Sequence, residues 1–122
     1  MLTEYRKLVF PYDELIKAIA AHDAAGDGSF GDAKVVAAKP QEGAEIAVQV
    51  DLESPGDNTL QSVRIDEATL VGAMVRYCID NRYPMPRRGR KTIERHGERL
   101  ALHVFVDGLE HEVEDKAHYV LL

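Results

Sequence analysis

The chain has a single cysteine, Cys78, and no tryptophan among its 122 residues. One thiol excludes an intramolecular disulfide framework, so the fold must stand on its hydrophobic core. No run approaches the ~18 consecutive apolar residues of a membrane-spanning helix, and the N-terminal MLTEYRKLVF lacks the apolar centre of a secretory signal. The expectation is a cytoplasmic protein with no membrane partner. Positive charge is in deficit as well. Fifteen Lys and Arg against 21 Asp and Glu leave a net charge of −6, which argues against a general polyanion binder.

What remains is ordinary for a globular domain. With 45% hydrophobic residues, a chain of this length can bury roughly two-thirds of its unfolded surface as one domain, 1–122.

Within that domain one pattern occurs twice. Residues 8–53 and 63–107 each read as strand, helix, loop, strand, turn, strand. Ile46, Val48, Val50 and Leu52 alternate with polar neighbours, and Leu100, Leu102, Val104 and Val106 do the same, which marks two strands with one buried and one wet side. The glycines that precede them, Gly43 and Gly97, lie 54 positions apart. Upstream, Leu15, Ile16, Ile19 and Ala20 form one helical stripe; Leu70, Ala73, Met74, Tyr77 and Cys78 form another at an offset of 55. Asp66 is placed to N-cap the second helix, and Pro11 suits the start of the first. These signals predict an α+β domain of two strand-helix-strand-strand units, about 4–57 and 58–122, with two helices packed on antiparallel sheet. Strands are expected near 4–10, 33–38, 44–53, 59–65, 91–96, 99–106, 109–114 and 118–122. Only 3 of 11 positions are identical between 43–53 and 97–107, so the pattern suggests an internal repeat through its layout rather than its identities.

Several apparent motifs fail on context. Gly26-Asp27-Gly28-Ser29-Phe30-Gly31 has the glycine spacing of a dinucleotide loop, but it follows a helix and precedes a strand, and Asp23, Asp27 and Asp32 would repel phosphate. Asp23, Asp27 and Gly28 also fall at calcium-loop spacing. Ala25 and Lys34 stand where that loop needs an oxygen ligand and its bidentate glutamate. A two-residue turn at Asp107-Gly108 would put His103 opposite Glu112 and send His111 to the other face, so the two histidines could not share a metal. Cys78 lies on an apolar stripe and reads as a small buried hydrophobe. No cofactor, metal or catalytic set is expected.

Comparing the two halves is more informative. From Arg82 to Arg99 there are seven basic and two acidic residues, a local +5 in a chain of −6. After the first helix, residues 23–33 carry three aspartates and no basic residue; after the second, residues 80–91 carry Asp80 against Arg82, Arg87, Arg88, Arg90 and Lys91. The same topological position thus has opposite charge in the two units. Pro84 and Pro86 bias the second loop towards extended backbone, Gly89 permits close approach, and arginine suits bidentate contacts with carboxylate or phosphate.

The functional expectation is a non-enzymatic binding or adaptor module. Arg82, Tyr83, Arg87, Arg88, Arg90, Lys91 and Arg95 would engage an acidic protein or other anionic partner. Alternatively, the basic loop of one copy meets the acidic loop of another in a homo-oligomer such as a homodimer. Nucleic acid is a less favoured partner, because base stacking needs more than the lone Tyr83. A different class of function, a small-ligand or enzymatic site, would need a pocket between the two units with Tyr77, His111 or Tyr119 converging on it.

Overall fold

The computed structural model describes residues 3–41, 43–86 and 88–106. The chain order is β1 (Glu4–Phe10), α1 (Tyr12–Ala25), β2 (Lys34–Gln41), β3 (Ala47–Glu53), β4 (Leu60–Ile65), α2 (Glu67–Asp80), β5 (Arg90–His96) and β6 (Arg99–Val106). This is an α+β fold. The strands expected at 109–114 and 118–122, the Asp107-Gly108 turn and the pairing of His103 with Glu112 lie outside the described residues.

The antiparallel strands divide into two three-stranded sheets, β1-β6-β5 and β2-β3-β4. Each sheet takes a hairpin from one half of the chain and its third strand from the other. Phe10 at the end of β1 lies opposite Leu100, and Ile65 at the end of β4 lies opposite Val48. The leading strand of each half therefore closes the sheet of the other.

Alternation sets the buried faces. Val48, Val50 and Leu52 of β3 and Leu100, Leu102, Val104 and Val106 of β6 are all buried. They join Leu15 and Ile19 of α1 and Leu70, Met74 and Cys78 of α2 in one cluster. A fully buried Leu, Ile or Val contributes about 1.5–3 kcal/mol relative to exposure. The expected wet side of the central strands is not uniformly wet. Ala47, Ala101 and His103 are buried too, and the His103 ring stacks with those of Tyr5 and Phe105.

The helices run antiparallel. The Tyr77 hydroxyl near the end of α2 donates to the Glu14 carboxylate in the first turn of α1. At the other end the His22 ring lies against Gly72, where a Cβ would meet it at 3.4 Å. Pro11 precedes α1, and Asp66 caps α2 by accepting the Thr69 amide at 2.9 Å. That hydrogen bond holds the Asp66 carboxyl below its ordinary range.

Candidate functional site

The basic segment begins where α2 ends. Tyr83 N–H donates to the Cys78 carbonyl at 2.8 Å and Arg82 N–H to the Ile79 carbonyl at 3.1 Å. These are the paired bonds of a Schellman helix end, which places Arg82 in the left-handed conformation, φ 64°. Glycine is the usual occupant there, because a Cβ costs about 1–2 kcal/mol in that region. The first helix makes the corresponding long bond 55 positions earlier, from Gly28 N–H to the Asp23 carbonyl at 2.9 Å, but its left-handed residue, Gly28, matches Tyr83 rather than Arg82. Asp27 thus stands opposite in charge to Arg82 at the matching place.

Beyond Tyr83 the chain is held from beneath. Arg6 of β1 donates through Nη1 to the Pro84 carbonyl at 2.8 Å, and its Nε pairs with Glu4 at 3.1 Å. Met85 packs on the core and Pro86 is fully buried. Gly89 then passes so close to the Phe105 carbonyl that a Cβ would collide with it. The close backbone approach expected at Gly89 occurs within the protein's own fold.

This path separates the seven candidate residues. Arg82 and Tyr83 are exposed, and so is Arg90, whose guanidinium lies over the Phe105 ring at 5.1 Å from its centroid. Arg88 is half-buried. Lys91 is also half-buried, and burial pulls its ammonium below the ordinary lysine value. Arg95 is turned to a different task. Its guanidinium donates to the carbonyls of Gln41, Gly43 and Glu45, tying β5 to the β2–β3 turn of the other sheet. Arg87 lies outside the described residues.

Two of the three carboxylates of the acidic counterpart loop are used internally. Asp23 accepts the Ser29 hydroxyl at 2.8 Å and the Phe30 amide at 3.1 Å, and Asp27 accepts the Ser29 amide at 3.2 Å. These bonds fold the glycine-rich stretch into a turn. Among the described residues no group of three His, Cys, Asp or Glu is placed to hold a metal ion, and no helix is long and apolar enough to cross a membrane.

One feature missed in the sequence is a polar chain across the outer face of sheet β1-β6-β5. The Tyr5 hydroxyl lies 2.6 Å from His103 Nδ1, and the Glu94 carboxylate approaches Nε2 at 3.3 Å without the alignment of a hydrogen bond. Each residue sits on a different strand, so only the register brings them together. A cleft of about 340 Å³ beneath β1 is lined by Phe10, Tyr77, Cys78 and Tyr83 among others, so Tyr77 does stand on a pocket between residues of the two units; His111 and Tyr119 lie outside the described residues. Burial pushes the Cys78 thiol up, away from the reactive thiolate form. Tyr77 and Glu14 bond to each other, which leaves little polar capacity to orient a small ligand.

No protein-family model, curated protein or solved structure matches this chain.

Proposed function

We propose that the chain is a non-enzymatic binding module whose basic segment 82–91 engages an acidic partner. The observation that carries this reading is Arg82, an exposed arginine kept at a left-handed helix end where glycine would cost less. A cation just past the C-terminus of α2 recovers about 0.3–1 kcal/mol of that cost through the helix dipole, and the exposed side chain offers the same charge to a partner. Arg90 adds a second exposed fork, and a guanidinium stacked on Phe105 keeps its N–H edge available to carboxylates. Tyr83 supplies apolar surface beside them.

The test is Arg82→Gly with poly-glutamate as probe. The variant should be at least as stable as the parent in chemical denaturation, yet bind the probe more weakly and with a shallower salt dependence. Equal binding by the two proteins would remove the basis of the reading. A small-ligand site between the two halves is the second reading, and Tyr77 on the cleft favours it. It ranks lower because the hydroxyl already serves Glu14.

A further inference from the structure

Among the described residues, β1 pairs on one side only, with β6, and its other edge is unpartnered. Folded proteins blunt such edges with bulges, prolines or dense charge, because free N–H and C=O groups invite another strand. Two of the other three sheet edges carry these devices. β2 has a register break between Val35 and Ala37 and contains Pro40. β5 is mostly charged, with Arg90, Lys91, Glu94 and Arg95. β1 has neither break nor proline over Glu4–Phe10; its charges, Glu4, Arg6 and Lys7, fall in its first four residues, Leu8–Phe10 is apolar, and Tyr5 and Val9 are exposed at 52% and 36%.

Beneath that edge lies the 340 Å³ cleft walled by Phe10, Tyr77 and Tyr83, room for one bulky side chain. Lys7 is an exposed cation on the strand itself, Arg6 beside it is held by Glu4 and the Pro84 carbonyl, and Arg82 adjoins Tyr83, which lines the cleft. We propose that the edge of β1 is where the acidic partner docks. It binds as an added strand that alternates carboxylates with apolar residues and sends one large apolar side chain into the cleft. The inference rests on the binding-module reading above and gives it a partner geometry. Backbone pairing along an edge supplies affinity, and the cleft and the cations supply selectivity.

The second half contains its own control. β4 is the corresponding edge of the other sheet, and a cleft of about 410 Å³ lies against Val63 and Ile65. That cleft is lined by two carboxylates, Asp23 and Asp27, whereas the first is lined by one, Glu14, which bonds Tyr77, and has Arg82 next in sequence to its wall. Architecture therefore does not distinguish the two edges; charge does. A second copy of β1 is the less favoured occupant of the first edge. Of the three longest antiparallel self-pairings, those centred on Lys7 and between Arg6 and Lys7 set like charges opposite each other, and that between Lys7 and Leu8 does not.

The experiment uses a fluorescent peptide alternating glutamate with valine around a central leucine. The expected result is saturable binding that slows amide hydrogen exchange in β1 but not in β4. Methylating alternate peptide nitrogens should weaken binding by about tenfold or more, since the edge hydrogen bonds are lost. Lys7→Glu, at an exposed site, should weaken it as well. If the peptide binds and perturbs only residues 82–91, docking on β1 is wrong while the basic-surface reading stands. If neither this peptide nor poly-glutamate binds, the basic-surface reading falls and takes docking on β1 with it. Self-association abolished by Lys7→Glu would make a second copy the occupant and overturn the proposal.

Discussion

Gly89 passes directly against the carbonyl of Phe105, with φ 104°, so both the backbone conformation and the space exclude a side chain. This contact fixes where the basic segment rejoins the sheet and where Arg90 emerges over Phe105. Gly89→Ala should destabilise the protein by about 1–3 kcal/mol through strain. Urea denaturation measures it. A variant as stable as the parent would mean that the segment can move away from β6 at no cost.

Arg95 should matter to stability and not to binding. Arg95→Ala removes the donors to the carbonyls of Gln41, Gly43 and Glu45. Two of these bonds are exposed and water can replace them, so the loss should be about 0.5–1.5 kcal/mol. Poly-glutamate affinity should be unchanged. Lost affinity with full stability would return Arg95 to the binding surface.

The core faces give a harsher test. Leu70 and Leu102 are fully buried on α2 and β6. Leu102→Asp or Leu70→Asp should prevent folding, read as loss of cooperative melting by circular dichroism. Leu102→Ala should fold with a loss of about 2–5 kcal/mol.

Acid should weaken the α2 cap. The Thr69 amide holds the folded Asp66 carboxyl below 3.8, so its contribution is present above the unfolded pKa and is lost as pH falls through the folded one. Asp66→Asn keeps a capping oxygen without a titrating group. Melting temperatures of parent and variant should diverge near neutral pH and converge in acid. Parallel curves throughout would show that the carboxylate charge contributes nothing.

The sequence by itself determined the elements and their buried faces. Alternation in 46–52 and 100–106, the stripe from Leu70 to Cys78 and the cap at Asp66 are local signals. They act over a few residues, and the matching strands and helix hold them with two exceptions: Ile46 precedes β3 and is half-buried, and Ala47, Ala101 and His103 on the expected wet side are buried. The charge contrast between the two loops was equally legible. Tertiary structure alone decided the rest. That β1 leaves its own half to pair with β6 depends on contacts some 98 positions apart, as between Tyr5 and His103. Composition is silent on such contacts, because many strand pairings satisfy the same alternation. Nor could charge say which arginines face solvent. A long guanidinium stem turns wherever acceptors wait, so Arg95 went to three backbone carbonyls while Arg82 was left outward by a helix end in the left-handed conformation.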